Sequence, residues 1–153
     1  MVLRWSLLVS DHTVVELAAE ETHALRLTVL RDDTPTQVVA FPEDLLPGTF
    51  HLGVREGSDV VAVSTWAPRP YNDTPAVQLR GMATAAHLQG RGLGALLLES
   101  GCLRAATMAE LVWARARDTA LGFYLDHGFT IEGDGFIDEH TQKPHHLIIR
   151  RLD

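Results

Sequence analysis

The sequence is poor in cysteine and has no long apolar run, and each lack closes off a class of protein. Its one cysteine, Cys102, excludes an internal disulfide framework and any multi-cysteine metal site. Cys102 falls in a stretch with helical periodicity and reads as a small packed residue, not a catalytic thiol; no metal site is expected. No apolar stretch approaches the roughly 18 residues of a membrane-spanning helix. The N-terminal "MVLRWSLLVSDH" has only a short apolar stretch and no small-residue cleavage site, so it makes a poor signal peptide. These readings predict a cytoplasmic protein with no membrane partner. Positive charge is scarce too: 13 Lys and Arg stand against 20 Asp and Glu, a net charge of -7. That balance repels nucleic acid and favours a cationic or amine-bearing partner. Repeats and low-complexity segments are absent.

What remains is ordinary globular material. The chain has 153 residues, 46% hydrophobic and 22% charged, which suits one domain spanning residues 1–153. "LRWSLLVS" and "TVVELA" read as strands, and "EETHALRLTVLR" as a helix with Ala24, Leu25, Leu27 and Val29 near one face. Glu20 and Glu21 at its start and Arg31 at its end suit the helix dipole. "FPEDLLPG" is a loop with a short helix at most. "TFHLGVREGSDVVAVSTW" reads as a hairpin turning at "REGSD". "AVQLRGMATA" is a strand whose Gly81 signals a bulge. A helix of about sixteen residues follows, ending near Met108, with Leu93, Leu96, Leu97, Leu103 and Ala106 as its apolar face. "ELVWARA" is a strand. "DTALGFYLDHG" is a helix with Asp118 as N-cap and Gly128 as its stop. "FTIEG" and "HHLIIRRL" close the chain as strands. The order gives an α/β domain with a mixed sheet.

Chemistry concentrates in "QGRGLG", residues 89–94, where three glycines precede a helix. A strand, a glycine loop and a helix make an anion site. The helix start offers unpaired N–H groups and partial positive charge, and glycine lets backbone approach a phosphate. Arg91 adds a cation. A Walker loop needs a lysine and a hydroxyl residue that are missing here, and the G-x-G-x-G spacing fails the dinucleotide pattern.

Two segments carry a family resemblance. "LRGMATAAHLQGRGLGALLLE" resembles the pyrophosphate-binding segment of the GNAT-type N-acetyltransferase superfamily, [Q/R]-x-x-G-x-[G/A], with Gln89, Gly92 and Gly94 at its defined positions. "RDTALGFYLDHGF" resembles its A-x-x-F-Y-x-x-x-G-F segment through Ala120, Phe123, Tyr124, Gly128 and Phe129. The resemblance covers residues 79–129 and implies a mixed, mostly antiparallel sheet splayed between its fourth and fifth strands, with helices on both faces. It implies acetyl-CoA as co-substrate and an amine acceptor, a small molecule or a peptide, attacked directly in a ternary complex. Backbone N–H groups of Gln89, Gly90, Arg91, Gly92, Leu93 and Gly94 would hold the CoA pyrophosphate. Met82, Ala83 and Thr84, on the bulged strand, would flank the pantetheine arm, with Phe123 nearby. Tyr124 would assist departure of the CoA thiolate, a tyrosine (pKa about 10) facing a thiol (about 8.5).

The base and acceptor are less defined. His145, in "KPHH" beside the last strand, is a candidate base, since some small bacterial members carry a similar P-H pair and imidazole titrates near 6.5. Glu43, Asp44 and Glu139 are weaker candidates, and solvent alone is another. His87 is read as a surface residue near the CoA phosphates. Many members carry asparagine at the end of the strand before the tyrosine helix, where this chain has Arg115 and Arg117. Arg117 is taken as cofactor-binding, with a substrate carboxylate or pairing to Asp118 or another acid as alternatives. Arg26 and Arg31 either recognise an anion or solvate a helix. Homodimerisation is consistent with the resemblance. The competing function is a non-catalytic acetyl-CoA sensor, which an intact Tyr124 argues against.

Overall fold

The computed structural model describes residues 12–152, so "LRWSLLVS" lies outside the described residues. Strands β1 (Val14–Leu17), β2 (Phe50–Glu56), β3 (Asp59–Pro68), β4 (Ala76–Thr84), β5 (Leu111–Arg117), β6 (Thr130–Ile137) and β7 (Pro144–Arg151) form one sheet. Their order is β1-β2-β3-β4-β5-β7-β6. Every pairing is antiparallel except β4 with β5. Helical segments are α1 (residues 19–30), α2 (Leu93–Ala105) and α3 (Leu121–Leu125). Among the described residues no helix is long and apolar enough to cross a membrane.

β3 shows how the helices cover both faces. Its side chains alternate between faces, as strand geometry requires. Val63 joins Leu17, Leu25 and Ala83 under α1, and Thr65 bonds to Arg26 of that helix. Ala62 and Trp66 pack instead with Leu97, Leu98 and Cys102 of α2. Trp66 is fully buried, stacks on Phe50 at 5.9 Å and donates its indole N–H to Ser64 Oγ at 2.8 Å. A Cβ on Gly101 would lie 1.8 Å from the Trp66 ring. Gly101→Ala is therefore expected to destabilise by about 3 kcal/mol, the upper end of overpacking costs; urea unfolding measures it. Burial pushes the Cys102 thiol up to about 11, so it stays protonated and packed.

Several boundaries depart from the sequence reading. α2 ends at Ala105; Leu103, assigned to its apolar face, is 74% exposed, and Ala106 lies exposed past the helix end. α1 passes from 3₁₀ (Ala19–Thr22) through α (His23–Leu25) to π geometry (Arg26–Leu30). The wider π turn rotates the inward face. Arg26 is buried completely, whereas Leu27 and Ala24 are exposed. Asp118 caps nothing; its carboxylate accepts from His146 Nδ1 at 2.7 Å. Gly128 does stop α3, at φ +89°, with the His127 and Phe129 N–H groups both donating to Tyr124 O.

Candidate active site

The sheet opens in its middle. β4 and β5 pair only through Ala76–Leu111, Val77–Val112 and Gln78–Trp113. Beyond Gln78 the two strands separate, so the outer half of β4 keeps β3 on one side and loses β5 on the other. A bulge accompanies the separation: the β3–β4 register slips between Thr65–Arg80 and Val63–Ala83, around Gly81 at φ +59°.

The glycine loop follows β4 after a 3₁₀ turn at Ala86–Leu88. Gly92 is the residue before α2 and adopts φ +87°, left-handed backbone that glycine accepts without strain. A Cβ there would meet nothing within 4 Å, so the glycine serves backbone geometry facing open space. Leu96 N–H bonds back to Gly92 O at 3.0 Å. The N–H groups of residues 90–95 have no backbone acceptor among the described residues. Gln89 folds back and donates its side-chain N–H to Thr84 O at 3.0 Å, which occupies one of that carbonyl's two acceptor positions. Gly90 and Arg91 are exposed, a Cβ on Gly94 would lie 3.3 Å from the Phe123 ring, and the Leu93 side chain is buried in the core. Leu93 and Ala83, also buried, therefore offer a ligand only backbone.

Tyr124 is buried among Phe123 (ring centroids 5.1 Å apart) and Phe129 (5.4 Å). Its hydroxyl donates to Met82 Sδ on the bulged strand at 3.8 Å, a weak acceptor. Burial pushes the phenol up to about 12. It therefore keeps its proton at any physiological pH.

Tyr124 and Met82 also line a cleft of about 590 Å³, with β4, β5, residues 30–43 and residues 138–145 as its walls. Residues 89–94 do not line it. His145 stands here, buried, its ring 5.9 Å from Phe136. Its Nδ1 lies 2.8 Å from Lys143 O. A carbonyl only accepts, so Nδ1 carries the proton and Nε2 is left as the basic nitrogen of the neutral ring. Asp138 is the residue the sequence reading missed. Its Oδ2 accepts from His140 N, Thr141 N and Thr141 Oγ1, while Oδ1 accepts from Arg115 at 2.8 Å. The "DEHT" spacing, an aspartate with threonine three residues on, is the local signal for that turn.

The other candidates separate. Asp44 is held by Arg26 and is not free to act as a base. Glu43 lies in the cleft between Arg69 (3.2 Å) and Arg80 (3.5 Å). Glu139 is on the exposed rim, paired with His140. His87 is exposed beside Glu56. Arg115 finds Asp138, not Asp118, and Arg117 donates to Leu30 O.

Residues 47–131, more than half of the chain, match the family model described as acetyltransferase (GNAT) domain. The chain belongs to the GNAT acetyltransferase family. It is 27% identical over 127 residues to the uncharacterized N-acetyltransferase YitI of Bacillus subtilis, covering 80% of this chain and 85% of that protein. Its fold matches Escherichia coli ElaA with a TM-score of 0.75 at 17% identity, over 91% of this chain and 99% of that one. It also matches an aminoglycoside 6'-N-acetyltransferase complexed with coenzyme A, with a TM-score of 0.73 at 12% identity, over 92% and 97% of the two chains. The family model ends before β7, so His145 and Asp138 are features of this GNAT chain that the match does not reach.

Asp138 gives a pH signature. Burial raises its carboxyl, but the Thr141 N–H and hydroxyl, then His145 and Arg115, outweigh that and bring it down to about 2. A carboxylate depressed in the folded state contributes stability above its unfolded pKa of about 3.9 and loses it as pH falls. Unfolding free energy should thus drop between about pH 4 and 2, and Asp138→Asn should flatten part of that drop; urea titrations at a series of pH values measure both.

Proposed function

We propose that the whole chain acts as one acetyl-CoA-dependent N-acetyltransferase domain, acting on a primary amine by direct attack in a ternary complex. The observation that carries this reading is the break in β4–β5 pairing beyond Gln78, with the glycine loop beyond one end of β4 and Tyr124 and Met82 bordering the cleft. The residues present fit such a co-substrate. Unpaired N–H groups of residues 90–95 suit a pyrophosphate, and the unpartnered edge of β4 suits an amide-rich arm added like a strand. Bound, acetyl-CoA supplies an acetyl group activated as a thioester.

The chain's own groups do the rest. The cleft orients the amine; His145 Nε2 accepts a proton from its ammonium form, freeing the lone pair that bonds to the acetyl carbon, and the proton then left on that nitrogen passes to the departing thiolate or to solvent. Tyr124 supports the sulfur as the C–S bond breaks. Its hydroxyl, at about 12, is a weaker acid than a thiol at about 8.5, so its contribution is a hydrogen bond to developing charge more than a completed proton transfer.

Two measurements test the reading. Acetyl-CoA should raise the unfolding temperature, because it binds the folded state alone. Thiol release should then follow addition of an amine from a broad panel. Absence of any shift would sink CoA binding, and a shift without release across the panel would make the chain a sensor. His145→Gln should lower kcat by about 100-fold near neutral pH. The deficit should shrink at alkaline pH, where the amine arrives already deprotonated; a pH-independent deficit would remove the base role.

A further inference from the structure

The cleft carries a charge opposite to that of the chain. Five of the 13 cationic side chains line it, all arginines, against only three of the 20 carboxylates. Two of those carboxylates are committed, Glu43 to Arg69 and Arg80, and Asp138 to Arg115. Arg31 and Arg117 remain. Among the described residues neither has a carboxylate at ion-pair distance. Each is anchored by a backbone carbonyl instead: Arg31 Nε donates to Val38 O at 2.7 Å, and Arg117 Nη2 donates to Leu30 O. A carbonyl fixes a guanidinium without neutralising it, and it leaves most of the five N–H donors uncommitted. Arg117, at the end of β5, meets Leu30 next to Arg31, so the two guanidiniums stand where two walls of the cleft adjoin. Burial, then the Arg117 and Arg80 charges, pull the Arg31 guanidinium below its ordinary value. Two half-buried like charges held together in this way favour a bound anion.

We propose that Arg31 and Arg117 form an oxyanion-binding subsite, and that the acceptor is a primary amine carrying a carboxylate or phosphate on a short spacer. The proposal rests on the acetyltransferase reading above, which makes this cleft the acceptor's. Forked guanidinium donors match either oxyanion in bidentate geometry. Arg117 faces His145 across the antiparallel β5–β7 ladder and both line the cleft, so the subsite adjoins the base. The glycine loop does not line this cleft, so the subsite is separate from the loop's anion site. The net charge of the chain pointed toward a cationic or amine-bearing partner; the local field narrows that to an amine that also carries an anion.

The test compares propylamine, β-alanine, O-phosphoethanolamine and putrescine as acceptors, read by thiol release. One or both oxyanion-bearing amines should exceed propylamine in kcat/KM by at least about tenfold, and their ranking separates carboxylate from phosphate. Arg31→Gln and Arg117→Gln, each verified to unfold cooperatively like wild type, should shrink that ratio through the acceptor KM and leave the KM for acetyl-CoA in place. Preference for propylamine or putrescine, or an unchanged ratio in both variants, would overturn the subsite while the acetyltransferase stands. If no amine releases thiol, ligand-detected NMR titration of β-alanine and O-phosphoethanolamine decides. Binding that both variants lose keeps the subsite and fails only the enzymatic reading; absence of binding overturns the subsite.

Discussion

Tyr124→Phe is expected to lower kcat by about 10²- to 10³-fold with little change in affinity for CoA, the cost of one donor aimed at developing negative charge. The ring remains, so its contacts with Phe123 at 5.1 Å and Phe129 at 5.4 Å survive. What leaves is a buried hydroxyl whose partner is a thioether at 3.8 Å, a poor acceptor that a thiolate easily outcompetes. Stability should therefore change by less than about 1 kcal/mol, which separates a chemical effect from a folding one. Titration near 12 adds a second check: the rate ratio of wild type to variant should be constant between about pH 6 and 9, since the phenol keeps its proton throughout. Single-turnover thiol release and CoA titration by calorimetry measure both parts. A variant with wild-type turnover would refute the role.

The parts of this chain legible in sequence are those where one residue type answers one backbone demand. Gly81 marked a bulge, and the β3–β4 register slips there. Gly92 preceded α2 at a φ that glycine tolerates, and "REGSD" turned the β2–β3 hairpin. Less legible were features that depend on partners distant in sequence. In the sequence Arg26 reads as a cation that either recognises an anion or solvates a helix. Only the π turn and the approach of residues 39–44 and Thr65 bury it. Asp138 carried only its local turn signal, since its partner Arg115 lies 23 residues away on β5. Net charge, which favoured a cationic or amine-bearing partner, says nothing of the cleft's own field. It sums over the whole surface, whereas a ligand meets the few side chains that the fold gathers into one cleft.

Asp44→Ala should destabilise the protein by about 3–5 kcal/mol, the cost of stranding a buried charge. Arg26 is fully buried, and its guanidinium makes two hydrogen bonds to the Asp44 carboxylate, at 2.8 and 2.9 Å. Its other partners, Val39 O at 2.6 Å and Thr65 Oγ1 at 2.7 Å, are neutral and cannot replace the lost charge. Burial pushes the Asp44 carboxyl up, but Arg26 and the Phe41 N–H outweigh it and hold it below its ordinary value. The pair therefore stabilises above the unfolded carboxyl pKa of about 3.9 and weakens as pH falls below it. Asp44→Leu combined with Arg26→Met should cost less than either single change, because no unpaired charge is left behind. Urea unfolding of the four proteins forms the cycle, and purely additive losses would show that the ion pair is not what couples them. The consequence reaches the cleft, because the same guanidinium lies 3.8 Å from the centre of the Phe41 ring and ties β3 to residues 39–44. Those residues, with Arg31, form one cleft wall. The double variant, folded but without this clasp, should raise the acceptor KM and leave the KM for acetyl-CoA near wild type, since the loop that would hold its pyrophosphate lies beyond the other end of β4 and outside this wall.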